Sequence, residues 1–175
     1  MLPELGNFAL IIALLLATLQ AVLPLIGAAR GNARMMAVAR PATFGQFAFL
    51  LLSFVLLSVA FVQKDFSVQY VAQNSNSLLP LAYRLSAVWG AHEGSLLLWV
   101  LILAGWSAAV ALFSRNLPAE VVARVLGVRG LVSIGFLLFT ALTSNPFLRL
   151  VPAALEGRDL NPLLQDPGLI IHPPM

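Results

Sequence analysis

The chain has 175 residues, of which 60 % are hydrophobic and 10 % charged, and its mean hydropathy is +0.93. A soluble domain carries about a quarter charged residues and just under half apolar ones, so this composition excludes an ordinary soluble fold; disorder, which needs low hydrophobicity, is excluded with it. The formal charge of +3 is scattered through short loops with no basic stripe, which argues against nucleic acid, and the absence of cysteine excludes disulfides, thiolate metal sites and thiol chemistry.

The predicted fold class is an all-α integral membrane protein with four transmembrane helices, at about 7–29, 42–62, 94–113 and 125–143. The first charge-free run, 5–29, has an apolar core at 8–26, long enough for about 30 Å of hydrocarbon. It does not read as a signal peptide, because Glu4 replaces the usual basic start and the run is too long. Pro24 is expected to kink its end. A short loop with Arg30, Arg34 and Arg40 follows, then the second span. Residues 63–84 are polar and include Gln73-Asn74-Ser75-Asn76-Ser77. The third span ends near Phe113, and Arg115, Glu120, Arg124 and Arg129 lie in the next connection. From Ser144 onward the chain is polar and proline-rich. The expected organisation is therefore a helical region at 1–145 and an irregular loop segment at 146–175.

The arginine distribution orients this map. Three arginines follow the first span and three more follow the third, whereas 63–93 carries only Lys64 and Arg84. The arginine-rich loops belong in the cytoplasm, and both termini and the polar stretch face outside.

Three segments are candidates for chemistry. The first is Trp89-Gly90-Ala91-His92-Glu93-Gly94-Ser95 at the external end of the third span. An imidazole beside a carboxylate at a membrane boundary can carry protons or bind a metal or porphyrin iron. The plainer reading is an aromatic-belt Trp89, small residues for close packing, and Glu93 near the positive end of the helix dipole. If the helix already includes both, His92 and Glu93 point about 100° apart and do not aim at one ligand. The second candidate is His172, which Pro173 pushes towards extended geometry. Such an imidazole suits axial ligation of haem iron; an ordinary loop histidine is the alternative. The third is the run from Glu156 to Gly168, with Arg158, Asp159 and Asp166. It reads either as an ordered surface loop or as a platform positioning His172. The spacing does not assign Asp159 and Asp166 as an acid–base pair. The chain has no phosphate-binding glycine loop, His-Glu-x-x-His, nucleophile elbow or Cys-x-x-Cys-His.

Collinear motifs carry a family resemblance. Trp89-Gly90-Ala91-His92-Glu93-Gly94-Ser95-Leu96-Leu97-Leu98-Trp99, then Thr143-Ser144-Asn145-Pro146-Phe147, then Gly157-Arg158-Asp159-Leu160-Asn161-Pro162-Leu163-Leu164-Gln165-Asp166-Pro167-Gly168 and Ile171-His172-Pro173-Pro174 resemble the N-terminal part of the CcmF family. These are haem-lyase subunits of bacterial cytochrome c maturation; their nitrite-reductase maturation relatives share much of the pattern. The opening Pro3-Glu4-Leu5-Gly6-Asn7 and the run Arg30-Gly31-Asn32-Ala33-Arg34-Met35-Met36 fit as well.

The resemblance implies a multi-pass protein of the bacterial inner membrane whose working face is periplasmic. It implies transient haem b, delivered by the haem chaperone CcmE. It implies attachment of that haem to the cysteines of apocytochrome c, with CcmH and CcmI as partners beside the lipid bilayer. His172 matches the family's first periplasmic histidine, considered an axial ligand of the incoming haem. Trp89, His92, Glu93, Arg158, Asp159 and Asp166 are possible supporting residues. The His92-Glu93 pair matches a family motif outside the usual iron-ligand set. Family members continue into a tryptophan-rich segment and further histidines. The chain is therefore expected to be an N-terminal fragment without a complete haem site, and not active as a lyase alone. The competing reading is a small subunit of an ion or solute transporter using His92-Glu93 as a proton relay; a remnant that merely inserts and packs is a third.

Overall fold

The computed structural model of the chain describes residues 1–162, 166 and 168. His172 lies outside the described residues. Among those described, every regular element is helical, apart from one isolated bridge.

Four stretches are long and apolar enough to cross a membrane: Leu2–Arg30, Ala33–Gln63, His92–Phe113 and Ala119–Leu142, with mean hydropathies of 2.5, 2.3, 2.4 and 2.0. Helix α1 (Leu2–Arg30) starts ahead of its apolar core. Glu4 in its first turn faces the positive dipole end, so the polar start helps the helix begin. The helix continues through Pro24. It stops at Gly31, whose φ of 66° lets the Asn32 N–H reach the Gly27 carbonyl at 2.8 Å. The Asn32 side chain then accepts from the Arg34 and Met35 N–H groups and caps α2 (Ala33–Ala37). Helix α3 (Ala39–Gln63) completes the second span.

The segment after α3, read from the sequence only as a polar stretch, is not without regular structure. It contains two short helices, α4 (Gln69–Asn74) and α5 (Leu81–Ala87). Tyr70, Val71 and Ala72 of α4 are buried. A helix this short has no pattern long enough to stand out from the surrounding Gln, Asn and Ser. Tertiary burial, not local propensity, holds it. Helix α6 (His92–Phe113) and helix α7 (Ala119–Leu142) follow. Helix α7 begins six residues before the apolar run that marks it in the sequence. Glu120 sits in its first turn and pairs with Arg124 one turn on, so charged residues extend the helix beyond its apolar part.

The helices bury some polar side chains within an otherwise apolar core and leave large apolar ones outside. Gln20, Gln46, Ser53, Ser107, Ser133 and Thr140 are fully buried, while Phe8, Trp99, Trp106 and Phe139 are exposed. Only 39 % of the most apolar window is buried in the first span, and 33 % in each of the others. Apolar surface left outward on this scale needs lipid, and polar side chains hidden inside can link helices where no water competes.

The chain divides into two compact units. Unit 2 comprises Ala9–Leu51 and Val100–Phe139. Within it the long helices pack through small residues: Gly130 of α7 lies against Ala17 and Ala21 of α1, and Gly45 of α3 against Leu16. Gln20 Nε2 donates to the Leu126 carbonyl at 2.8 Å, and Arg129 Nε to Ser107 Oγ at 2.8 Å, joining α7 to α1 and α6. Unit 2 carries six arginines and one acid.

Unit 1 comprises Met1–Phe8, Leu52–Trp99 and the residues from Thr140 onward. It gathers the start of α1, the end of α3, helices α4 and α5, the start of α6 and the end of α7. It carries four basic and six acidic residues, the reverse of the balance in unit 2.

Candidate functional site

The polar and aromatic motifs meet in unit 1, and Tyr70 organises them. Its ring is buried and packs edge-on against Phe61, with centroids 5.3 Å apart. Its hydroxyl donates towards the carbonyls of Val88 at 3.1 Å and Ala87 at 3.3 Å, and accepts the Ala91 N–H at 3.3 Å. The phenol thus bonds the backbone between α5 and α6, beside the turn's own bond from the Gly90 N–H to the Ala87 carbonyl at 3.1 Å. Burial pushes the Tyr70 hydroxyl well above the ordinary tyrosine range, so it stays protonated and able to donate. Tyr70→Phe takes this partner from the Val88 carbonyl and the Ala91 N–H and should cost about 1–3 kcal/mol. Thermal unfolding of the purified protein in detergent checks this; an unchanged midpoint would contradict the role.

Gly94, in the first turn of α6, lies directly beneath this lock. A Cβ there would sit 1.7 Å from the Val88 carbonyl oxygen and 2.5 Å from the Tyr70 hydroxyl. Ser95 Oγ donates to the Trp89 carbonyl at 2.6 Å, closing the turn from the other side. His92 is the first residue of α6 and is exposed. Its Nδ1 is 3.1 Å from Ser144 Oγ, which ties the start of α6 to the segment after α7. Glu93 follows on the same turn and is half-buried.

The second tie runs through the post-α7 segment. Asn145 Nδ2 donates to Asn7 Oδ1 at 3.0 Å, and Asn145 Oδ1 accepts the Phe147 N–H at 2.9 Å. Phe147 is buried over Gly6. An antiparallel bridge joins Val68 and Arg149, with the Gln69 N–H on the Leu148 carbonyl and the Leu150 N–H on the Ser67 carbonyl, both at 2.8 Å. The Arg149 guanidinium lies 2.6 Å from Glu4 and 3.4 Å from Asp65, and it also meets Ser67. Partly exposed pairs of this kind add little stability but fix direction.

The third group surrounds a cavity of about 360 Å³ lined by residues 76–78 and 156–159. The Ser77 N–H and hydroxyl donate to Glu156 at 2.8 and 2.7 Å. The Ser77 hydroxyl, ahead of the backbone N–H groups, holds the Glu156 carboxyl below the usual carboxylate range. Asn76 donates to Asp159, and the Arg158 N–H donates to the Ala72 carbonyl at 2.7 Å. Lys64 has a left-handed φ of 57°, and its Nζ donates to the Ser77 carbonyl at 2.9 Å.

The structure therefore brings His92 to Ser144, ties Trp89 to Ser95 within the turn, and brings Arg158 and Asp159 together with the loop after α4. Asp166 is exposed and accepts the Gly168 N–H at 2.7 Å. Among the described residues no group of three or more His, Cys, Asp or Glu is placed to hold a metal ion. Tyr70 and the Glu4–Arg149–Asp65 group were not among the sequence candidates. Their signal is weak: a lone tyrosine in a polar stretch, and opposite charges 145 positions apart.

Four apolar spans, with an ordered polar face built from their ends and loops, define a multi-pass helical membrane protein with an elaborated surface. Residues 89–175 match the family model described as cytochrome C assembly protein, and this match begins at Trp89. Over 176 residues the chain is 63 % identical to the cytochrome c-type biogenesis protein CcmF of Pseudomonas aeruginosa, covering 100 % of this chain and 27 % of that protein. It is 58 % identical to CcmF of Escherichia coli, with the same coverages. It is 44 % identical to the cytochrome c-type biogenesis protein NrfE of Haemophilus influenzae, covering 100 % of this chain and 28 % of that one. A solved structure of the cytochrome c haem lyase CcmF matches with a TM-score of 0.79 and 31 % identity, over 84 % of this chain and 25 % of the other. The chain matches the N-terminal part of CcmF, with NrfE as a relative, and spans about a quarter of the length of the curated relatives it matches.

Proposed function

We propose that this chain takes part in cytochrome c biogenesis as a haem-handling membrane segment, with unit 1 as its working face. The observation that carries this is the 63 % identity to CcmF of Pseudomonas aeruginosa, sustained over the whole chain. The arrangement of unit 1 supports it: the motifs around His92, Asn145 and Arg158 are each tied to a neighbouring element.

In this reading the protein sits in the bacterial inner membrane. The loops bearing Arg30, Arg34, Arg40 and Arg115 are cytoplasmic, and both termini, residues 64–91 and the segment 146–175 are periplasmic. The charge balance favours this assignment. Haem enters as substrate from the chaperone CcmE, and apocytochrome c supplies the cysteines that receive its vinyl groups. CcmH and CcmI complete the assembly. His172 donates a neutral ring nitrogen to the haem iron, with Pro173 restricting its backbone. Arg158, at the exposed cavity, offers a guanidinium to a haem propionate. Trp89, His92, Glu93, Asp159 and Asp166 shape the face; His92, through Ser144, acts by position.

In cells that depend on this protein for cytochrome maturation, His172→Ala should lower the yield of c-type cytochrome at least about tenfold. Haem-stained gels of membrane fractions measure it. Wild-type yield would remove His172 from the mechanism.

A further inference from the structure

We infer that unit 2 contains a binding site for a phosphate monoester or diester anion, of the kind carried by an anionic phospholipid headgroup. The site is a cavity of about 360 Å³ at the ends of the helices. It is lined by Met36 of α2, Arg40 of α3, Arg115 and Leu117 of the following turn, and Ala119 and Val122 of α7, with small alanines between them. Its volume falls in the usual ligand-pocket range, roughly 300–1,000 Å³.

Its chemistry is one-sided. Two arginines line it and no acid does. The one acid of unit 2, Glu120, is paired with Arg124 and does not line the cavity. Arg40 is held in place: its NH2 group donates to the Ser114 carbonyl at 2.9 Å. Its Nε is buried and has no hydrogen-bond partner among the described residues. The neighbouring Ser114 Oγ is likewise buried and unsatisfied. A buried guanidinium N–H without an acceptor is costly, and a small shift of the Arg40 side chain, which lines the cavity, would let an anionic oxygen accept from it. The first turn of α7 adds the positive end of a 24-residue helix beside Ala119. The apolar remainder, Met36, Leu117 and Val122, suits the glycerol and first methylenes of a lipid. A basic pocket between helices at a membrane boundary is the arrangement that recognises acidic headgroups.

The test uses the full chain, purified from membranes into detergent containing equal amounts of phosphatidylglycerol and phosphatidylcholine. Native mass spectrometry counts the retained lipid. The expected result is preferential retention of phosphatidylglycerol. Arg115→Gln, at an exposed position, should reduce it about threefold, and Arg40→Gln with Arg115→Gln about tenfold or more. Arg40→Lys keeps the charge and retains most binding. Arg124→Gln, outside the cavity, leaves retention unchanged. Inorganic phosphate at millimolar concentration should compete. Binding of phosphate without selection of phosphatidylglycerol still supports the anion site and assigns it to a soluble phosphate. Equal retention of the two lipids with no effect of phosphate overturns the proposal. So does undiminished phosphatidylglycerol retention in the Arg115→Gln protein.

Discussion

Gly94→Ala should destabilise the protein by about 2–4 kcal/mol, a large effect for one methyl group. The new Cβ would lie 1.7 Å from the Val88 carbonyl oxygen and 2.5 Å from the Tyr70 hydroxyl. Neither obstacle is a side-chain tip that can swing aside. Val88 is backbone, and the phenol is fixed by its bonds to Val88, Ala87 and Ala91. Relief requires α6 to move away from the turn that precedes it. That movement breaks the Tyr70 contacts and carries His92 off Ser144. The loss of order should therefore extend through unit 1. Thermal unfolding in detergent gives the stability change, and limited proteolysis at residues 74–91 reports where it acts. A midpoint within error of wild type would show that the turn tolerates the methyl group, and the close packing described here would be wrong.

Gly130→Leu should cost about 3 kcal/mol or more through unit 2. A Cβ at Gly130 would be 2.9 Å from the Ala21 nitrogen and 3.1 Å from the Ala17 carbonyl oxygen. The crowding is again against backbone, across the close approach of α7 to α1. Separating these helices also lengthens the bond from Gln20 to the Leu126 carbonyl, at a depth where no water replaces it. Gly135→Leu provides the comparison, because a Cβ at Gly135 meets nothing within 4 Å. The two variants add the same side chain to one helix. Folding yield and unfolding midpoint should fall for Gly130→Leu and stay near wild type for Gly135→Leu. Equal behaviour would refute the α1–α7 contact.

The spans were legible because hydropathy over some 20 residues is a strong signal. Their ends were less so. Helix α7 starts at Ala119, where Glu120 and Arg124 interrupt the apolar pattern but support one another on the helix surface. Helix α1 starts at Leu2, where Glu4 favours a helix end although it is unfavourable in lipid. Helices α4 and α5 were hidden among Gln, Asn and Ser because they exist by burying Tyr70, Val71, Ser86 and Ala87, which local sequence does not reveal. The candidate face divides in the same way. Trp89, His92 and Glu93 stood out as a dense motif, and Arg158 and Asp159 as a loop with charges. Tyr70 and Arg149, which hold that face together, reach their partners over long sequence separations and carry no local mark. Short-range patterning cannot report such contacts.

The proposal for His172 is reached most directly by absorbance. The protein in its full-length context, purified after co-expression with the haem chaperone, should show a Soret band, and His172→Ala should reduce that band to about a tenth or less at equal protein concentration. The loss should be selective: His92→Ala, which removes the Ser144 contact and no iron ligand, should retain most of the band. A Soret band of equal height in wild type and His172→Ala would contradict the assignment of His172 to the haem iron, and no Soret band in either protein would contradict the central claim of a haem-handling face.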